Sequence, residues 1–160
     1  YRKELPDSGG AGQYRGGLSA ESCFIPHNTE VITQDTLSSG NATPTSPGMM
    51  GGYPSTTNAY CFLRDTNIFE RMRSRDMPED TAEIEGREEV LQLRQENFQQ
   101  HPADVYAVRW TGGGGFGDPF DRAPADIDQD LEDLAITLEA ARTIYGAVLG
   151  ADGKVDVEAT

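Results

Sequence analysis

At 160 residues the chain has the length of one domain. Apolar residues make up only 36%, and 27 acidic against 13 basic residues give a formal net charge of −14. That balance argues against nucleic acid, whose backbone demands clustered Lys and Arg, and against an anionic membrane surface. No apolar run approaches the roughly 18 residues of a spanning helix, and no signal-peptide pattern opens the sequence. Tyr1 cannot be a natural initiator, so the chain is expected to lack some N-terminal residues.

Tyr1 to Leu5 alternates apolar and charged side chains, as a strand does, and Pro6 stops it for want of an N–H. Asp7-Ser8 then opens a glycine-rich run, Gly9, Gly10, Gly12, Gly16 and Gly17, around Tyr14 and Arg15. Such spacing suits an extended, polyproline-like path in which neighbouring backbones lie close together. Leu18 to Ile25 resumes strand character, and Glu30 to Thr33 offers a further short strand. Residues 35–58 are rich in Ser, Thr, Gly and Pro. They fit either a flexible surface loop or a segment ordered against a partner chain, and we favour the second. Met49-Met50 suits an adaptable contact surface or a core position.

Ala59 to Arg64 reads as a buried strand, and Asn67 to Arg73 as one or two helical turns capped by Thr66 or Asn67. Between Glu83 and Gln100 helix formers compete with the alternation of EVLQLRQ, and we place a strand at Glu89–Arg94. His101 belongs to a turn before the apolar strand that starts at Val105 and leads through Arg109 into Gly112, Gly113, Gly114, Gly115, Phe116 and Gly117. Ordering five glycines in six positions costs chain entropy, so this segment is expected to be clamped by its surroundings. Pro124 sits well in a first helical turn, with Ile127, Leu131, Leu134 and Ala135 at helical spacing. Asp126, Asp128, Asp130, Glu132 and Asp133 fill the other positions as a solvated face. Thr137 caps a second helix through Tyr145 with Ala140, Ala141 and Ile144 inward, and Asp152-Gly153 marks a hairpin.

Chemistry is hard to place on these residues. Gly112, Gly114 and Gly117 satisfy G-x-G-x-x-G, but Asp118-Pro119 stands where the dinucleotide fingerprint needs a helix N-terminus, and a P-loop lysine is absent. No serine lies in a nucleophile elbow, and no carboxylate pair stands out as an acid/base couple. Cys23 and Cys61 suit reduced thiols of a cytoplasmic protein. With His27 and His101 they make only a weak ligand set, because structural zinc sites bring their ligands in close pairs. No metal and no catalytic residue is assigned. Asp7, Tyr14, Arg15, Arg109 and Asp118 are the polar residues nearest the glycines, as candidates for an interface or channel or as pins for the glycine strands.

LPDSGGAGQYRGGLS, GGGGFGDPFDRAP, LEAARTIYGAVL and VDVEAT follow one another here as similar segments do in the C-terminal part of the hydantoinase B/oxoprolinase family. The first two motifs are specific, and together the four extend along nearly the whole chain, although residues 25–104 fit the family pattern poorly. The resemblance implies barrel-like β-sheets running into a bundle of polyproline-II segments. The expected fold is therefore mainly β with polyproline-II-like glycine segments, plus a short C-terminal helical pair and hairpin, α+β overall. Residues 1–124 would form the β and glycine-rich region and 125–160 the helix-turn-helix and hairpin, one unit completed by a partner chain.

Members of this family include subunits of ATP-dependent hydantoinases, 5-oxoprolinase, and the carboxylases of acetone and acetophenone. By resemblance, ATP and Mg belong to hydantoinase A-like, kinase-type partners. This chain would be a small accessory subunit that completes a hydantoinase B-like one, itself without cofactor. A ketone carboxylase, an amide-ring hydrolase and a purely structural piece are the readings the resemblance leaves.

Overall fold

The apolar strand that leads into the glycine run is the centre of a sheet. In the computed structural model, which describes residues 1–160, the strands are β1 (Arg2–Leu5), β2 (Ser19–Phe24), β3 (Ile32–Leu37), β4 (Ala59–Arg64), β5 (Arg87–Glu88), β6 (Arg94–Gln100) and β7 (Val105–Arg109). The helices are α1 (Ile68–Ser74), α2 (Pro124–Glu132) and α3 (Leu138–Thr143). One sheet has the order β1-β2-β7-β4-β5, and β3 pairs with β6 in a second. Strand outweighs helix, 26% against 18%, so the fold is mixed rather than purely β.

Two compact units alternate along the chain. The first comprises residues 1–3, 21–41 and 58–110, the second 4–20, 42–57 and 111–160. The second thus takes in the glycine segments together with all of 125–160.

In the first unit β7 is antiparallel to both β2 and β4. Its successive side chains point to opposite faces. Val105 packs with Leu63, Ile68 and Ile84 on one face, and Tyr106 with Phe62 and Phe98 on the other. The ring pairs Phe62–Phe98 and Phe98–Tyr106 meet edge to face, with centroids 5.5 and 5.9 Å apart, the arrangement that aromatic quadrupoles favour. A strand covered on both faces reads as a continuous apolar run, and VYAV does.

Arg64 ties β4 to its surroundings. It donates to Glu89 Oε2 at 2.7 Å and to Asp104 Oδ2 at 2.8 Å, with its guanidinium 4.3 Å from the centre of the Phe62 ring. Burial pushes the Asp104 carboxyl up, but N–H donors from His101 and Asp65 and the charge of Arg64 outweigh it and hold the group below its usual range. Hydrogen bonding from Arg64 likewise holds Glu89 below the usual range.

Three expectations for this unit need correction. Glu89–Arg94 is not a strand: pairing stops at Glu88 and resumes at Arg94. The real strand, RQENFQQ, is mostly polar, and its register comes from β3 rather than from apolar alternation. Its buried Gln100 is satisfied by donating to Phe24 O, at 3.2 Å, and Asp104 O, at 2.9 Å. The short strand placed at Glu30–Thr33 lies at Ile32–Leu37 instead. Of the two caps expected, Asn67 precedes α1 without capping it, its Oδ1 accepting instead from Glu85 N at 3.2 Å, whereas Thr66 Oγ1 accepts from Ile68 N at 3.3 Å.

The second unit has a small core of Ala11, Ile127, Ile136, Ala140, Ala141, Tyr145, Ala147 and Val155. Pro124 occupies the first turn of α2, and Thr137 caps α3 by accepting from Ala140 N at 3.1 Å. The helices are shorter than their spacing suggests. The chain leaves α2 through Leu134, which has φ 56° and is exposed. Ala135 N then donates back to Asp130 O at 2.8 Å, the closing bond of a left-handed helix stop. Leu134 and Ala135 therefore lie outside the helix. Ile144 is exposed, and it is Tyr145 that enters the core. Beyond Gly146 (φ 70°) an isolated bridge joins Leu149 to Val155.

Candidate interface site

Three extended segments of the second unit, residues 8–17, 46–56 and 111–117, are laced by backbone hydrogen bonds. Gly10 N donates to Gly113 O at 2.8 Å and Gly113 N to Gly17 O at 2.8 Å, while Tyr14 and Phe116 exchange both bonds at 2.9 Å. The middle segment joins through Tyr53 N to Ala11 O (2.7 Å), Gly115 N to Tyr53 O (2.9 Å), Met49 N to Gly115 O (2.9 Å) and Gly117 N to Met49 O (3.0 Å). Residues 46–56 are thus ordered by this chain's own glycine segments, where sequence reasoning favoured a partner.

The glycines are there because the backbones touch. A Cβ at Gly10 would run into Tyr53 O, and one at Gly115 into Ala11 O. Gly9, Gly12, Gly16, Gly112, Gly113 and Gly114 are hemmed in the same way, each with backbone atoms of another residue less than 3.0 Å from where a Cβ would sit. Gly117 has φ 76° and faces the Gln13 side chain, whereas Gly17 has nothing within 4 Å. Real Cβ atoms essentially never approach backbone so closely, so the lacing leaves glycine as the residue that fits.

The same bonds decide what the glycine loop can hold. The amides of Gly113, Gly115, Phe116 and Gly117 each donate to a carbonyl of this chain. A phosphate cradle needs such amides free and a helix N-terminus behind them. Here Asp118 instead caps a short 3-10 turn, Pro119–Asp121, accepting from Phe120 N at 3.0 Å.

Side chains fasten the lacing to the helices. Asp7, with φ 58°, accepts from Thr137 N and from Thr137 Oγ1, both at 2.8 Å, and its own N–H donates to Ala135 O. The buried hydroxyl of Ser8 donates to Leu5 O and accepts from Ser19 N at 2.7 Å. Arg15 donates through Nε and Nη2 to Asp130 Oδ1, each at 3.1 Å, and through Nη1 to Gly16 O at 2.7 Å. Arg122 Nη2 lies 2.7 Å from Asp130 Oδ2 as an ion pair without an aligned hydrogen bond, and Nη1 donates to Gln13 O at 3.0 Å.

Asp130 is therefore misplaced on a solvated face. It is 5% exposed, and one carboxylate there serves two guanidinium groups. The signal was available: Asp130 follows Ile127 by three positions and so shares its face of α2. Arg122 escaped notice because nothing in D-R-A-P marks it. Burial pushes the nearby Tyr145 hydroxyl up from its ordinary value.

An exposed apolar rim lies along the laced segments: Tyr14, Met49, Met50 and Phe116. The rings of Tyr14 and Phe116 are 6.3 Å apart, and Met49 bridges Phe116 through the backbone. Asp7, Tyr14, Arg15 and Asp118 all belong to this second unit. Arg109 belongs to the first, where its Nη2 donates to the buried Glu21 carboxylate at 3.2 Å.

The four sulfur and imidazole candidates are not gathered. Cys23 on β2 and Cys61 on β4 both face Ala107 of β7, and burial pushes both thiols up. His27 and His101 are exposed. The structure holds no group of three His, Cys, Asp or Glu placed to take a metal. No helix is long and apolar enough to cross a membrane.

The second unit is thus a glycine-laced extended bundle, and the first an antiparallel β unit. The sequence matches the hydantoinase B/oxoprolinase family over residues 2–119, and the chain belongs to that family. It is 31% identical, over 98% of its length, to the acetone carboxylase alpha subunit of Xanthobacter autotrophicus, of which it covers 22%. It is 29% identical, over 96%, to the acetophenone carboxylase delta subunit of Aromatoleum aromaticum, covering 24% of it. The caprolactamase subunit beta of Pseudomonas jessenii is 25% identical over 98% of this chain, which covers 24% of that subunit.

The nucleotide-free structure of an acetone carboxylase superposes on 99% of this chain and 23% of its own, with a TM-score of 0.77 and 28% identity. The Pseudomonas jessenii caprolactamase structure shares the fold at 21% identity and a TM-score of 0.56. The chain spans about a quarter of the length of these relatives.

Proposed function

We propose that this chain works within an ATP-dependent ketone carboxylase as an accessory, structural part of its hydantoinase B-type subunit. The observation that carries this is the match to acetone carboxylase along nearly the whole chain, in sequence and in fold. The glycine lacing supports the structural role, since its amides are committed to this chain's own carbonyls. ATP and Mg then sit on hydantoinase A-like, kinase-type partners in a cytoplasmic assembly, and this chain brings neither nucleophile nor phosphate ligand. With two lysines in a chain of net charge −14, it offers little to a phosphoryl group.

In this reading the laced segments run as polyproline II, a backbone without internal hydrogen bonds that leaves its amides free for neighbours. The finer assignment is an accessory chain of the acetophenone carboxylase type. A second reading, a lactam or amide-ring hydrolase subunit, rests on the caprolactamase relative, whose sequence and fold agree less well.

The test is reconstitution with the kinase-type and hydantoinase B-type partners. ATP hydrolysis and carboxylate formation are followed with acetone or acetophenone plus bicarbonate, against caprolactam or 5-oxoproline. Carboxylation that needs this chain is the expected result. Ring opening without carboxylation moves the assignment to the hydrolases.

A further inference from the structure

The second unit carries an open groove of about 630 Å³ beside the end of α2, floored by Pro6, Leu131, Leu134, Ile136 and Leu138. Leu134 stands out among these residues. It is 73% exposed and has φ 56°. A left-handed backbone at the residue after a helix is a glycine position, and a leucine there adds strain to the cost of exposing its side chain. Glycine would serve the helix stop better.

The rim states the chemistry of that contact. Asp128, Glu132, Glu139 and Asp152 stand around the floor against one cation, Lys154, whose Nζ is already 3.3 Å from Glu132 Oε1. An apolar floor inside an acidic rim fits a segment with apolar anchors flanked by Lys or Arg. A second copy of this chain, with its net charge of −14, is repelled. We propose that the groove seats a basic amphipathic segment of a partner polypeptide, with Leu134 as its central contact. The proposal rests on reading the chain as part of a multi-subunit assembly.

The experiment titrates the labelled full chain with the remaining subunits and follows carboxylation in parallel. Leu134→Gly should raise the chain's melting temperature by relieving the strain, yet weaken association by about tenfold or more, as loss of a central anchor does. Leu134→Asp should weaken it further. Glu139→Gln with Asp152→Asn should cost a few-fold and flatten the dependence on NaCl, the mark of a charged rim.

Wild-type affinity in both Leu134 variants overturns the groove, and leaves the carboxylase assignment standing if ketone is still carboxylated. Leu134-dependent assembly of a complex that opens lactams upholds the groove and removes the carboxylase. A homodimer in sedimentation that Leu134→Asp dissolves overturns the choice of occupant.

Discussion

The sheet core of the first unit and the glycine segments of the second are held together in opposite ways. Around β7 the first unit packs side chain on side chain, so bulk is what holds Phe62, Phe98 and Tyr106 together. In the second unit the segments 8–17, 46–56 and 111–117 meet backbone on backbone, so bulk is what would drive them apart. In the first kind of interior, removing atoms leaves a cavity and forfeits burial, so truncation is the natural way to break it. In the second, the tightest points have no side chain to lose.

The largest effect that tests this contrast comes from adding atoms at Gly115. Its Cβ position is already occupied by Ala11 O and C, so Gly115→Val should cost about 4 kcal/mol or more, at the exceptional end for single substitutions. Loss of the cooperative melt and of co-purification with partner subunits is the expected readout. Normal assembly of this variant would mean that the lacing is not needed.

Next comes the fastening between lacing and helix. Asp130→Asn leaves the half-buried Arg15 and Arg122 without their carboxylate, and the loss should fall at or below about 3–5 kcal/mol, the cost of breaking a fully buried pair. Urea titration should show it as a fall in midpoint. A surface aspartate such as Asp126 changed to Asn should leave the midpoint in place.

A pH effect belongs to the first unit. Asp104 and Glu89 are held below their ordinary carboxylate values in the folded state. Their contribution is therefore complete above the unfolded values of 3.8 and 4.5 and is lost as pH falls through the folded ones. Asp104→Asn should flatten the acid limb of stability below about pH 5 while changing little of the slope near neutrality. An unaltered acid limb would show that these groups do not carry the acid sensitivity.

The smallest effect is also the sharpest control. Gly17 has open space where a Cβ would go, so Gly17→Ala should fall within about 0.5 kcal/mol of the parent. Similar damage at Gly17 and Gly115 would assign the glycines to chain flexibility rather than to contact.

Legibility in the sequence followed the same division. The core strands β4 and β7 could be read because apolar residues mark buried positions, and the glycine segments because only close approach justifies five glycines in six residues. The mostly polar β6 could not be read, since its place is set by pairing with β3 and by the bonds of Gln100. Asp130 was misread because neighbouring acids hid its position on the apolar face of α2. Its partners Arg15 and Arg122 lie 115 and 8 residues away, and only folding brings the three together.

The lacing also sets a timetable. Ala11, Tyr53 and Gly115 hydrogen-bond to one another in sequence through Tyr53, so the bundle closes only when residues from three distant parts of the chain meet. Closing long loops is entropically costly before any contact rewards it, and folds dominated by such contacts form slowly. During synthesis the first two segments leave the ribosome with amides and carbonyls facing water, and they wait for residues 111–117 before any of the three-way contacts can form. Refolding of the second unit should accordingly be the slow phase of the chain, and a partner present early would find those strands still open.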